Sequence, residues 1–481
     1  MLEDARCVRG RFFCLQYCCI ILTSPANLSS CPSTSNPSNS PMSIAQGVQT
    51  VFAAITPFFK INWPIIFFAI AWPITRSLWI YWRNRTFETS LKYKLLELKM
   101  PREITRSPRS MDQFFHAIAG MGNWRGHLGE KYLLGEMTIW FTFEIVSLGG
   151  EIHFYAQIYE PYVPIVKAAL FAAYPEVEIV PVVEDYTEKW VPHSILDLEL
   201  QGKDLYANGF VLSKDPAFPI KTYMQFESST EEYQVDPMAA FMEAMASIRP
   251  EEFIGVQYVI SPLFLSWGEQ YQHIVDDLRT PKIAKGSAAH GASGDDLALA
   301  LKTSLLQKSP GQTDILKAVE RNLSKPAFDT NIKLLYISPK NLFSDRVPRR
   351  AIKGAFNQYN AADLNAMVFN DGMNTKPGWF DPPYVFKRTR RRARKNRMLH
   401  LWREREPGIH EFSGQFIASH TFNWWNSANT ILTSEILATL FHPPTTLVVT
   451  GPLTQRVESR KMGAPAGLPI YADESVLDKF K

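Results

Sequence analysis

The sequence predicts an α+β fold: a single N-terminal transmembrane helix, then a ferredoxin-like β-α-β-β-α-β domain and a further α+β cytoplasmic region. Three observations predict it. Residues 61–82 (INWPIIFFAIAWPITRSLWIYW) are apolar over a length that crosses a bilayer at a helical rise of about 1.5 Å per residue. Beyond them, short stretches of strict apolar/polar alternation mark strands, and apolar residues at helical spacing lie between those stretches. With 481 residues and 46% hydrophobic content, the chain has material for a large core behind the anchor.

The anchor comes first. Arg76 is the one formal charge within it, near enough to one end to snorkel, and Trp79, Tyr81 and Trp82 stand where an interfacial aromatic belt belongs. Pro64 and Pro73 are tolerated in a membrane helix, although a buried core helix is the competing reading. Downstream lie Arg76, Arg83, Arg85, Lys92, Lys94 and Lys99, against Lys60 alone just upstream, so the positive-inside rule puts the C-terminal part in the cytoplasm and the N-terminus outside.

Residues 1–41 differ in composition from the rest and hold all five cysteines: Cys7, Cys14, Cys18, Cys19 and Cys31. The body therefore has no disulfide framework and no cysteine zinc site, which suits a reducing cytosol. Three readings of this leader stand: translation beginning at Met42, a signal peptide with Arg6, Arg9 and Arg11 before an apolar 12–22, or a lipobox-like Leu28-Ser29-Ser30-Cys31.

The first domain is expected over 86–270. Residues 94–100 alternate as a strand, Ser110 and Gln113 form a capping box for a helix reaching Gly120, and 139–145 and 152–158 form a hairpin on Gly149-Gly150. A helix over 162–173 and a strand over 177–183 complete the β-α-β-β-α-β order. Residues 195–226 add strands. Asp236 caps a helix begun by Pro237, whose face of Met238, Phe241, Met245 and Ile248 is expected in the core, a soft partner groove being the alternative, and a strand follows over 253–260. A flexible insert covers 271–311, including GSAAHGASG at 286–294, and short helical segments follow that loop near Leu297 and Ile315. The second region, 312–481, holds a strand over 332–337, a basic helix over 384–405 and a Pro-rich tail.

Motifs of chemistry are missing. The one Gly-Lys pair, Gly202-Lys203, is followed by Asp204 and fails the phosphate-binding spacing, and Gly120, Gly122 and Gly126 miss the dinucleotide fingerprint. His410 and His420 have no paired ligand spacing, and the neighbours Glu184-Asp185 and Glu231-Glu232 point apart on a strand. No catalytic, cofactor or metal residue is nominated, and a non-enzymatic protein without a cofactor is expected.

The strongest local signal is a run of eight cations, Lys387, Arg388, Arg390, Arg391, Arg392, Arg394, Lys395 and Arg397, which exceeds the net charge of +4 for the whole chain. As a helix it carries charge on every face, with Met398, Leu399, Leu401 and Trp402 as a docking end. Beside an anionic leaflet such residues are worth about 1 kcal/mol each, and they would equally neutralise nucleic-acid phosphates or meet an acidic protein. The run by itself leaves all three open.

The segments FEIVSLGGEIHFYAQIYEP, AAYPEVEIVPVVEDYT, PIKTYMQFE, VDPMAAFMEAMASIRPEE and ILTSEILATLFHPP, with an LPI tail, occur in that order. Together they resemble the non-ATPase N-terminal region of bacterial membrane-anchored proteins related to type IV secretion and conjugation ATPases. The likeness covers the anchor, most of 86–270 and about 398–470, and departs at Thr433 and Ile436, where Asn and Glu are expected. It implies a single-pass scaffold subunit of the bacterial inner membrane that docks a separate P-loop motor ATPase. The alternative is a membrane-tethered nucleic-acid-binding protein using 387–397.

Overall fold

The computed structural model describes residues 44–100, 106–122, 129–226, 236–279, 310–344, 346–376, 386–408 and 429–445. The expected leader, the loop 286–294, the segment near Leu297, Gly126, Glu231, Glu232, His410, His420 and the Pro-rich tail lie outside the described residues. Helix α1 runs Ile44–Ser90, and its Asn62–Ser90 portion is the one helix, among the described residues, long and apolar enough to cross a membrane. The chain divides inside this helix, and the folded body begins at Ile70.

The body is built on one nine-stranded antiparallel sheet. Its first elements are β1 (Tyr93–Lys99), α2 (Arg109–Ala119), β2 (Phe141–Leu148), β3 (Glu151–Tyr159), α3 (Val163–Ala173) and β4 (Glu178–Pro181). Two short helices, α4 (Tyr186–Trp190) and α5 (Ile195–Leu200), lead into β5 (Lys203–Leu212), α6 (Ala239–Ala246) and β6 (Phe253–Pro262). Then come α7 (Gln272–Arg279), α8 (Pro310–Leu323), β7 (Ala327–Pro339), α9 (Arg346–Asn357) and β8 (Met367–Asn370). The basic helix α10 (Lys387–Arg403), β9 (Thr430–Thr433) and α11 (Ser434–Leu440) complete the described elements.

The strands lie in the order β4-β1-β3-β2-β6-β7-β5-β8, with β9 paired to β7. Read outward from the centre, β2-β3-β1-β4 on one side corresponds position by position to β6-β7-β5-β8 on the other. A strand-helix-strand-strand-helix-strand order therefore occurs twice, the second time with α7 and α8 inserted between β6 and β7, and the two occurrences join through the antiparallel pair β2 and β6, from Phe141↔Ile260 to Leu148↔Phe253. The division expected between 86–270 and 312–481 falls between β6 and β7, which pair from Phe253↔Ile337 to Pro262↔Phe328, so one sheet crosses it.

Alternation sends successive side chains to opposite faces. Phe143 and Ile145 on β2, Val256 and Tyr258 on β6, and Ile332 and Leu334 on β7 enter the larger core, together with residues of α2, α3, α6, α9 and α11. Val146, Phe253, Leu335 and Ile337 face the other way, into a second core closed by α4, α5 and Met398, Leu399, Leu401 and Trp402 of α10. The central strands are thus covered on both faces, which explains their nearly continuous burial.

Local differences from the sequence reading have local causes. Helix α2 starts at Arg109 without a side-chain cap, since Pro108 already has helical geometry (φ −52°, ψ −17°); Ser107 Oγ, not Ser110, accepts the Arg109 N–H at 3.1 Å. Region 195–226 supplies a single strand, β5, preceded by α5, whose capping box pairs Ser194 with Asp197. Asp236 Oδ1 accepts the Met238 N–H at 2.7 Å, while the helix itself begins at Ala239. The strand expected at 332–337 extends in both directions, because it is paired on both sides by β5 and β6.

Candidate functional site

The basic run folds as the first part of α10 and divides by exposure. Lys387, Arg388 and Arg392 are exposed, Arg391 and Arg397 half-buried, and Arg390, Arg394 and Lys395 buried. The run is helical, and its charges are shared between the surface and contacts with the body. Arg394 donates to the Asn374 carbonyl at 2.9 Å, Lys395 pairs with Asp204, and exposed Arg392 reaches Glu199 at 3.0 Å. Burial pulls the Lys395 ammonium below its ordinary range, against the opposing pull of Asp204. These contacts fasten α10 to β5 and α5. Arg397 lies within electrostatic reach of Glu406 and of Tyr81 and Arg85 on α1, so the far end of the run stands beside the end of the apolar helix.

Past the run, α10 closes over a row of polar side chains that crosses the middle of the sheet. Register places Glu144 of β2 opposite Gln257 of β6, and Gln257 opposite Lys333 of β7. Glu144 is 0%, Lys333 1% and Arg405 2% exposed. Arg405 donates from Nε to Glu144 Oε1 at 2.7 Å and from Nη1 to Asp185 Oδ2 at 2.6 Å. Tyr186 OH donates to Glu144 Oε2 at 2.8 Å, and Gln257 Nε2 donates to Glu144 Oε1 at 2.7 Å. Lys333 Nζ finds three acceptors, Gln257 Oε1 at 3.0 Å, the Leu401 carbonyl at 2.9 Å and the Glu406 carbonyl.

Each buried charge thus has the partners that burial demands. Desolvation still pulls Lys333 down to about 7, with Glu406 and Glu144 resisting. Burial also opposes the Arg405 charge, and Glu144 and Asp185 outweigh it, so the guanidinium stays ionised. Glu406 extends the network to Arg85 near the end of α1. The arrangement has the character of a clamp: it ties both halves of the sheet, α10 and the helix entering from the N-terminus into one ionic unit. The sequence reading missed it. Its one visible signal is a set of charged residues inside otherwise apolar strand patterns, at Glu144 and Lys333.

On the opposite face, His442 and Asp236 are both buried, with Nε2 of the ring 3.1 Å from Asp236 Oδ1 and Nδ1 2.8 Å from the Ala438 carbonyl. Thr445 donates its N–H and its hydroxyl to Asp236 Oδ2, each at 2.8 Å. Burial raises the Asp236 carboxyl, but His442 and these hydrogen bonds prevail and hold it down at about 2. The folded value lies below the unfolded one, so its stabilisation is complete above the unfolded value and disappears as pH falls through about 2. From that shift Asp236→Asn is expected to cost about 2 kcal/mol at neutral pH. Urea midpoints of the two proteins should converge as the pH approaches 2, and a gap independent of pH would refute the assignment.

A pocket of about 180 Å³ is lined in part by Thr222, Met224, Lys317, Arg321 and Glu435. Its polar floor is already paired, Thr222 Oγ1 donating to Glu435 at 2.7 Å and Arg321 Nε at 3.0 Å. Among the described residues no group of His, Cys, Asp or Glu side chains is placed to hold a metal ion. In comparison with known proteins, no family model matches the chain and no curated protein matches it.

Proposed function

We propose that this chain is a single-pass membrane scaffold of a bacterial cytoplasmic membrane, anchored by the apolar part of α1, with its N-terminus outside and its folded body in the cytoplasm. One observation carries the reading. Trp63, Ile65, Phe67, Phe68, Trp72 and Ile74 are all more than half exposed along a helix that continues into the body, and a bilayer is the solvent that suits such a surface. The cations Arg83 and Arg85 follow at its body end, as the orientation requires.

In this reading the body is two ferredoxin-like units side by side, a platform without chemistry of its own. Its partner is a separate P-loop motor ATPase, as the sequence resemblance implies. The exposed cations Lys387, Arg388 and Arg392 serve anionic lipid, since Arg397 of the same helix stands beside Tyr81 and Arg85.

The test is mild-detergent purification of the tagged chain from its native membrane, with nuclease treatment and ATPase assay. A P-loop ATPase retained after nuclease, with hydrolysis absent from the chain alone, is the expected result. ATP hydrolysis by the pure chain that survives contaminant controls would overturn the scaffold reading. Loss of all partners on nuclease treatment would turn it towards nucleic-acid binding by 387–397.

A further inference from the structure

The π-helical turn Glu130–Leu134 places two adjacent leucines, Leu133 at 65% and Leu134 at 53% exposure, on the outside of the body. Nothing in the second core or the larger core uses them. Their position is fixed by α1. Trp79 Nε1 donates to the Tyr132 carbonyl at 2.8 Å, the Arg76 guanidinium lies 5.4 Å from the centre of the Tyr132 ring, and Arg76 also bonds the Tyr132 hydroxyl. The turn ends at Gly135, whose φ of +71° and whose approach to Arg83 leave no room for a side chain: a Cβ would stand 2.4 Å from the Arg83 carbonyl carbon. Residues 130–135 are therefore held against α1 along the stretch from Arg76 to Arg83.

That stretch has the composition of a membrane boundary. Trp79 and Trp82 pack with ring centres 5.3 Å apart, the Arg83 guanidinium lies 5.6 Å from the Trp82 ring, and Leu78, Trp79 and Trp82 are exposed. Indole rings and snorkelling arginines settle at the level of the lipid headgroups. The exposed leucine pair continues the same apolar surface, at the same level, on an element remote in sequence.

We infer that the turn Glu130–Leu134 is a second, interfacial membrane contact, in which Leu133 and Leu134 enter the headgroup and upper acyl region of an anionic bilayer beside the anchor. Arg76 and Arg83 meet the lipid phosphates around them. The inference rests on the reading of α1 as a membrane span. A lone span can swivel about its own axis, whereas a span with a lateral foot fixes how the body is presented to the lipid surface.

The test uses the full chain with Cys7, Cys14, Cys18, Cys19 and Cys31 changed to Ser, reconstituted in phosphatidylcholine–phosphatidylglycerol vesicles. A solvatochromic fluorophore is placed at Leu134→Cys, or in a second preparation at Leu133→Cys, and at Phe67→Cys as the span control. Emission at both leucine positions should shift to the blue and fall about twofold with spin label near the headgroup, and less with label deep in the acyl chains, as interfacial burial predicts. The Phe67 probe should respond most to the deep label. Water-like, unquenched emission at positions 133 and 134 alongside a quenched Phe67 probe would overturn the foot and leave the anchor standing. Unquenched emission at all three would overturn both.

Discussion

Replacing Arg405 with Met is expected to destabilise the body by about 3–5 kcal/mol, the cost of leaving a buried carboxylate without its counter-charge. Glu144 has no solvent to turn to, and Asp185 loses the same guanidinium. Arg405→Lys recovers only part of this, because an ammonium cannot bridge two carboxylates as the planar fork does. Pairing Arg405→Met with Glu144→Gln should recover more than half of the loss, since the orphaned charge is then gone. Urea unfolding of the detergent-solubilised chain reads both effects as midpoint shifts at unchanged slope. A loss below about 1 kcal/mol for Arg405→Met, the size of an exposed ion pair, would show that the pair is not shielded from water.

Phe68→Arg combined with Trp72→Arg is the second large effect. Both side chains are about two-thirds exposed on α1, and Arg near the centre of a span costs about 2.5–3.5 kcal/mol on the insertion scale. The pair therefore costs about 5–7 kcal/mol, a fall of more than about a thousandfold in the inserted fraction. Flotation of membranes after alkaline carbonate washing should find the wild-type chain with lipid and the double variant in the extract. A double variant that still floats would mean that the helix is held by protein contacts and not by the bilayer.

Much of the local order was legible from period alone. The alternation at 94–100 and 139–158 and the helical spacing at 162–173 correspond to β1, β2, β3 and α3, the hairpin turning on Gly149 and Gly150, both at positive φ. The second occurrence of the same order was not legible. Its strands β6 and β7 were each legible as strands, but α7, α8 and a long intervening stretch separate them, so that their adjacency in the sheet leaves no mark in the sequence. Which cations of the basic run are engaged was not legible for a different reason. A run such as 387–397 gives no hint of which cations find acceptors, because Asp204, Glu199 and the Asn374 carbonyl come from distant elements. Likewise Glu144 and Lys333 stand out only as charges within apolar strand patterns, and with Gln257 they become a network only through strand register.

The antiparallel seam of β2 and β6 has a consequence for stoichiometry. Two similar modules that met as separate chains would dissociate on dilution; covalent linkage makes the pairing independent of concentration. The two occurrences also differ in what they bring to the buried polar row: β2 contributes a carboxylate, Glu144, while β6 and β7 contribute an amide and an ammonium, Gln257 and Lys333. The outer strands β4 and β8 are only four residues each, which leaves short edges for pairing with another chain.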